Sequence, residues 1–467
     1  MGMNELIKTI IHHYSIGMLI YFLMVNLFYI TIIILSLDRL KKFLKISGTD
    51  ITAVSDYTKP ISILVPAYNE RETIIDSIQS LLDLDYPKFE IIVVNDGSKD
   101  DTLQRVISFY NLRRVNVELN NQVPSEHVRG VYSSFDRPNL VVVDKENGGK
   151  ADALNAGINV SRFPLFCAID ADSFIEKKAL IKVAKPFQKY SETIASGGIV
   201  RIANGCKIEN GQLVKASLPK KMVEKFQVIE YFRAFLTSRV GWESLNSLLI
   251  ISGAFGLFKK SAVIKVGGYK KTIGEDMELI LRLHKEYIKE KIPYKISFAS
   301  DAVCWTQAPD SLKGLKSQRL RWHRGLIDSM LKHKELLFNP RYGKVGMLSM
   351  PYFCLVEMLG PVIELVGYII LGLAIYYSVL SNVVLYIFLV AFLFGVLFSY
   401  SGILLEQLSY KRYNSLVEIC LLFLYSLFEQ VGYRQITVWW RFLAFLNFKK
   451  GSKQWGSIQR KSFTKGG

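Results

Sequence analysis

Cysteine is scarce in this 467-residue chain: its five thiols, Cys167, Cys206, Cys304, Cys354 and Cys420, lie far apart. That spacing gives neither a disulfide framework nor a zinc cluster, so reduced thiols in the cytosol or the bilayer are the expectation. Internal repeats and low-complexity tracts are missing as well. The pattern GxxxxGK[ST] is absent, which removes the P-loop class. Acidic residues are the minority charge, 41 against 59 basic, for a net charge of +18. No nucleic-acid reader motif accompanies that excess, and no nucleic-acid partner is expected. The basic residues flank apolar runs instead, as they do beside membrane segments.

Hydrophobic residues make up 50% of the chain and are unevenly placed. Residues from about 60 to 340 carry charge throughout and read as a soluble α/β unit. Ile16 to Leu37 is almost unbroken apolar sequence, as long as the ~20 residues that one helical crossing requires. No small-residue cleavage site follows it. DRLKKFLK does follow, the basic flank expected on the cytoplasmic side. The expectation is a retained anchor over residues 1–45, with the N-terminus outside.

Met347 to Phe448 is dominated by Leu, Phe, Val and Tyr, with Val362–Leu380 and Val383–Leu405 as the best spans. One helix from Met347 to Tyr377 would be about 46 Å long, too long for a single crossing. Gly360-Pro361 in its middle predicts a break into an interfacial helix and a span. Tyr413–Phe448 carries Glu418, Glu429, Arg434 and Arg441. It reads either as one span plus an amphipathic helix or as two tilted spans. The basic tail, 449–467, belongs on the cytoplasmic side with the central unit, so an even number of crossings, two or four, should follow that unit. The organisation expected is an anchor (1–45), a cytoplasmic unit (46–340), membrane and interfacial helices (341–448) and a basic tail (449–467).

Inside the central unit, ISILVP (61–66), FEIIVVN (89–95), LVVV (140–143) and PLFCAID (164–170) are short apolar runs typical of buried parallel strands. Helix-like stretches separate them, which argues for a doubly wound, mostly parallel sheet. Ligands of such sheets sit beyond the C-terminal strand ends. There the chain places Tyr68, Asn69 and Glu70, then Asp96, then Asp144, then Asp170 and Asp172. The stretch 111–138 lengthens the path between the second and third runs and suggests no role.

Several strings carry chemistry. DAD (170–172) is a common surface turn, but at the end of a buried strand two carboxylates can hold a hard divalent cation such as Mg or Mn that grips a diphosphate. NGGKADALNAG (147–157) reads as a capped turn or as close backbone approach to a nucleotide, with Lys150 near phosphate. GEDMELILRLHKEY (274–287) opens a helix. Glu275 and Asp276 there either offset the helix dipole or supply a general base for an acceptor hydroxyl. QRLRWHRG (318–325), with Lys316 nearby, is either a basic helix lying on a membrane or a positive site beside an indole. The second reading suits a pyrophosphate next to a sugar face.

Taken in order, VPAYNE, VNDGS, GGKADALN, DAD, SGAFG, GED and QRLRW resemble the processive family 2 glycosyltransferases, among them cellulose, hyaluronan, chitin, poly-N-acetylglucosamine and mixed-linkage glucan synthases. The resemblance covers 61–325 by motif and the flanking apolar helices by architecture. It implies the GT-A fold, a UDP-sugar donor, a growing polysaccharide as acceptor, and single displacement with inversion on the cytoplasmic face of the cell membrane. It also implies site roles. Tyr68, Glu70 and Asp96 would hold uridine, with Lys150 nearby. Asp170 and Asp172 would contact the nucleotide and the metal, Asp172 as the direct ligand. Ser252 and Gly253, in SGAFG (252–256), stand where the family places its acceptor motif. Asp276 would be the base, Gln318 and Arg321 would hold the diphosphate, and Trp322 would stack on the terminal sugar.

The departures matter too. SGAFG differs from the cysteine-containing motif of cellulose synthases, and the 19 residues from Lys449 leave no room for a cyclic di-GMP receptor domain. GEDMEL favours UDP-glucose and a β-glucan, with UDP-N-acetylglucosamine as the alternative. A non-processive lipid glycosyltransferase normally lacks QRLRW. An inactive scaffold has no need of Asp96, Asp170, Asp172 and Asp276 together. An accessory secretion subunit is compatible with all of this.

Overall fold

The computed structural model describes residues 3–47, 58–118, 120–209, 212–378 and 382–448. The expected basic tail, 449–467, lies outside them. The central unit is built on strands β1 (Ile61–Ala67), β2 (Phe89–Asp96), β3 (Arg113–Val115), β4 (Val128–Ser133), β5 (Leu140–Lys145), β6 (Leu165–Ile169), β7 (Ser173–Ile175) and β8 (Thr193–Ile202). It continues with β9 (Lys207–Glu209), β10 (Gln212–Lys215), β11 (Phe255–Lys259) and β12 (Lys295–Thr306). Ten of them form one sheet in the order β3-β4-β5-β2-β1-β6-β11-β8-β12-β7; β9 and β10 form a separate pair.

The centre, β5-β2-β1-β6, is parallel. All four expected runs are strands within a residue or two of their expected ends. Their side chains are buried on both faces, which is why the runs show no alternation. β11 enters antiparallel between β6 and β8, and β12 pairs parallel with β8. The stretch 111–138 supplies β3 and β4, an antiparallel extension of the sheet edge that begins on β5.

Outside the sheet, the N-terminal helix Met3–Ser47 is long and apolar enough to cross a membrane over Ile11–Lys41. Its last turns are built into the central unit: Ser36 Oγ donates to the Thr237 carbonyl at 2.5 Å, and Arg39 pairs with Glu243 at 2.9 Å. Helical residues Val345–Met358 and the helix Gly360–Tyr376 meet at a 42° bend, at the expected Gly360-Pro361 break. The helix Asn382–Ser409 follows and runs back along it, with Phe388 against Tyr368 and Val384 against Ala374.

Residues Leu416–Leu446 are long and apolar enough for a further crossing, but their contacts fold them back. The helix Leu416–Phe428 lies antiparallel to Asn382–Ser409, with Phe423 on Tyr400 and Glu429 against Ser399. Non-helical torsions at Val431 and Gly432 then break the chain. The helix Arg434–Leu446 lies antiparallel to the bent pair, with Arg434 on Glu364 of Gly360–Tyr376 and Arg441 on Glu357 of Val345–Met358. Since the two guiding helices run in opposite senses, so do these two. The segment is a broken hairpin, neither one span plus a surface helix nor two spans. After the central unit, the bent pair and Asn382–Ser409 are each long and apolar enough to cross a membrane.

Candidate active site

The C-terminal ends of the parallel strands β5, β2, β1 and β6 lie along one edge of the sheet, where the chain also places DAD and GGK. At the end of β1, Asn69 takes a positive φ of 56° and its side chain accepts from the Lys99 amide. Its own amide donates to Ser98. The VPAYNE turn thus clasps the VNDGS turn. Tyr68 is exposed over this clasp, whereas Glu70 is buried and accepts from Thr73.

Asp96, at the end of β2, is almost fully engaged. One carboxylate oxygen takes Lys145 Nζ at 2.7 Å and the Gly148 amide at 2.9 Å; the other takes the Gly149 amide at 2.8 Å. Asn147 adds a donor to its carbonyl at 2.7 Å. Asp96 therefore fastens the glycine turn that opens the helix Lys150–Val160, a task not expected from its position. Lys145, fully buried, bridges it to Asp152 at 2.6 Å. Sequence reasoning missed Lys145. Its one signal, a lysine closing the apolar run LVVVDK, is also what a strand end entering a loop looks like.

Lys150 is held at the heart of the site. Its Nζ forms an ion pair with Asp170, lies 3.8 Å from Glu275, and donates to the Gly253 carbonyl at 3.2 Å. SGAFG is thereby joined to DAD through one lysine. The Gly253 amide in turn donates to Asp276 at 3.3 Å. Asp276 is half-buried and also receives its own helix's Met277 amide at 2.8 Å. Glu275 is buried. Desolvation drives its carboxyl upward, against the pull of Lys150 and with the push of Asp276. Asp172 is driven upward too, first by burial and then by the charge of Asp170. The two acidic residues of GED are thus distinct: Glu275 points inward to Lys150, and Asp276 stands beside the backbone of SGAFG.

Asp170 and Asp172 offer two carboxylates, and among the described residues no cluster of three His, Cys, Asp or Glu side chains forms a metal cage. Mg and Mn are commonly held by one or two carboxylates together with substrate phosphates and water. The donor set therefore fits a cation that arrives with a nucleotide.

The QRLRW string lies on the helix Leu312–Lys332, whose Ser311 cap accepts from Gly314. This helix touches the GED turn through bare backbone: a Cβ on Gly274 would meet the Gly325 carbonyl at 2.9 Å, and one on Gly325 would meet the Gly274 Cα at 3.0 Å. Glu278, gripped by Arg282 at 2.7 Å, accepts from His333 at 3.3 Å and ties the two helices one turn further on. Gln318 is buried, and its Oε1 has no partner among the described residues. Trp322 is 41% exposed, with the Arg319 guanidinium 4.8 Å over its ring. Arg319, part of the expected positive site, is instead neutralised by Glu230. The structure brings Lys150, Asp170, Asp172, Ser252, Gly253, Glu275 and Asp276 together, with the QRLRW helix docked on them. Tyr68 stands exposed at the end of β1.

Two family descriptions match the chain: "Glycosyl transferase family 2" over residues 62–267, and "Glycosyl transferase family group 2" over residues 168–445, more than half of its length. Curated relatives include a poly-β-1,6-N-acetyl-D-glucosamine synthase of Staphylococcus epidermidis. It is 31% identical over 276 residues, 58% of this chain and 56% of that protein. The synthase of the same description from Staphylococcus aureus is 31% identical over 279 residues, 59% and 57%. The match thus spans little more than half the length of these relatives. Among solved structures, a mannosyltransferase of Pyrobaculum calidifontis in complex with GDP-Man and Mn2+ superposes with a TM-score of 0.52 at 18% identity, over 92% of this chain and all of that one. It shares the fold. The expectation of glucose finds no support among these relatives, whose names specify N-acetylglucosamine.

Proposed function

From the premise that the chain belongs to the processive family 2 glycosyltransferases, we propose that it polymerises N-acetylglucosamine from UDP-N-acetylglucosamine into a β-linked chain. The catalytic unit faces the cytoplasm, and the product leaves through the multi-pass membrane helices. The donor reading rests on the names of the Staphylococcus relatives, which fit the N-acetylglucosamine alternative better than glucose. The observation that carries the chemistry is the chain of contacts Asp170–Lys150–Gly253–Asp276, which sets a carboxylate pair and a half-buried carboxylate on two sides of one glycine.

Lys150, Gln318 and Arg321 hold the diphosphate, and Tyr68, Glu70 and Asp96 border the uridine. Asp170 and Asp172 hold Mg or Mn, which when bound offsets charge on the departing UDP. Ser252 and Gly253 line the acceptor side, and Trp322 stacks on the terminal sugar. Asp276 takes the proton from the acceptor hydroxyl as that oxygen attacks the anomeric carbon opposite the diphosphate, which inverts the linkage. Glu275 stays buried against Lys150 and keeps that lysine in place. The anchor helix, the bent pair and Asn382–Ser409 cross the bilayer.

The test is UDP release by detergent-purified protein from a panel of UDP-sugars with Mg or Mn, the product being digested by linkage-specific glycanases. Release from UDP-N-acetylglucosamine, with a polymer cut by hexosaminidases, is the expected result. Release from UDP-glucose alone would overturn the donor assignment.

A further inference from the structure

An indole has two faces, and a sugar can stack only on one that is free. At Trp322 one face is taken. The Arg319 guanidinium, one helical turn back on the same helix, lies 4.8 Å from the ring centroid. Planar and weakly hydrated, a guanidinium stacks on aromatic faces in this way. Trp322 is 41% exposed despite that cover.

Arg319 is held where it is. Its side chain is 11% exposed and pairs with Glu230, itself 20% exposed. The Glu230 oxygen that takes Arg319 also accepts from the Tyr433 hydroxyl at 3.0 Å. Tyr433 follows the break at Val431 and Gly432, so this bond reaches the membrane hairpin. Packing supports it. The Tyr433 ring lies 4.6 Å from that of Phe226, one turn before Glu230 on the helix Met222–Phe232. Both rings belong to an apolar cluster with Leu315 of the QRLRW helix and Trp440 of the hairpin. Three elements far apart in sequence thus meet at one carboxylate. Pairing with Glu230 explains why the burial of Arg319 is tolerated. It does not explain why that buried pair is set against the acceptor indole.

We propose that Glu230 is a positioning residue for the acceptor: it locks Arg319 over one face of Trp322 and so presents the opposite face to the terminal sugar of the growing chain. This rests on the acceptor role of Trp322 given above. Without Glu230, Arg319 would turn to water or to phosphate, and the indole would lose the plate that fixes its orientation.

The experiment uses the full chain in detergent. A short N-acetylglucosamine oligosaccharide is titrated by tryptophan fluorescence, beside a UDP titration. The parent binds the oligosaccharide and Trp322→Ala does not. Glu230→Gln keeps the shape and removes the charge; it weakens oligosaccharide binding by about tenfold, the scale of one partly desolvated cation–π contact. UDP affinity does not fall. Arg319→Gln loses as much, and the two substitutions together lose no more than either alone, because the pair acts as a unit. Tyr433→Phe removes one hydrogen bond from the same carboxylate and gives a smaller loss. Parental oligosaccharide affinity in Glu230→Gln would overturn the proposal and leave the donor and acceptor readings standing. So would additive losses, which would mean two separate structural defects, or an equal fall in UDP affinity. Equal binding by the parent and Trp322→Ala would remove Trp322 from the acceptor site, and this proposal with it.

Discussion

Replacing Gly325 by alanine isolates the contact that joins the QRLRW helix to the GED turn. The new methyl would meet the Gly274 Cα at 3.0 Å and its nitrogen at 3.1 Å, and both are backbone atoms that no side-chain rotation can move aside. Two terms act on stability. Alanine in a helix interior gains about 1 kcal/mol over glycine, and overpacking costs about 1–3 kcal/mol. The net change is therefore at most about 2 kcal/mol, and the protein should still be isolated folded.

The position of Asp276 is less forgiving, because it lies two residues beyond Gly274 on the same turn. Relief of the contact requires the two backbones to part by a few tenths of an ångström, and that shift passes to the carboxylate. Misplacement by about 1 Å costs about 100-fold in rate, so roughly half of that should cost about tenfold. The Lys150–Asp170 pair lies on another element, whereas Gln318 and Arg321 share the helix of Gly325, so UDP affinity should fall by less than kcat. The assay is UDP release at saturating UDP-N-acetylglucosamine, run beside a UDP titration and a thermal melt. A fall in kcat larger than the fall in UDP affinity is expected. Parental kcat in Gly325→Ala, with a parental melt, would mean that this contact does not set the base.

Three further outcomes are expected. Asp276→Asn should abolish transfer while UDP still binds in a titration; retained turnover would remove Asp276 from the base role. Glu275 is driven upward in the folded chain, so near neutral pH the folded form holds protons that the unfolded form has shed, and stability falls as pH rises through that window. Glu275→Gln should flatten that fall in melts of nucleotide-free protein between acid and neutral pH; an unaltered slope would refute the assignment. EDTA should silence UDP release and Mg or Mn should restore it, and full activity in EDTA would overturn the metal role of Asp170 and Asp172.

Much of the fold was legible because parallel strands buried on both faces must be unbroken apolar runs, and 61–67, 89–96, 140–145 and 165–169 are such runs. The site was legible for the same reason, since polar residues that end such strands face one cleft. What escaped was whatever depends on distant partners. Lys145 is buried only because Asp96 and Asp152 meet it there. Arg319 looks like part of a cationic cluster until Glu230, far back in the chain, cancels it. The hairpin at 416–446 was undecidable, since composition sets how apolar a segment is and not where it turns. Gly432 alone marked the turn.

The catalytic unit and the membrane helices are fastened by charge. Arg201, at the end of β8, pairs with Glu406 at 2.6 Å, both fully buried; Arg412 pairs with Glu176 at 2.7 Å; and Arg233 pairs with Glu429 at 2.5 Å. A fully buried pair such as Arg201–Glu406 adds little net stability over apolar residues of the same shape, whereas breaking it by removing a partner costs about 3–5 kcal/mol, and the partly exposed Arg412–Glu176 pair costs less. Their contribution is therefore register: each forbids the helices from sliding past the sheet by a turn, because a slide would strand a charge. The Arg233–Glu429 pair fixes the start of the π segment Arg233–Arg239 to the break of the hairpin. The same hairpin holds the QRLRW helix through Arg441, which lies against His323, the residue next to Trp322. A glycan end seated between Asp276 and Trp322 would thus be positioned by elements locked to the same membrane segment, so that the geometry of transfer and the entrance to the membrane helices cannot drift apart.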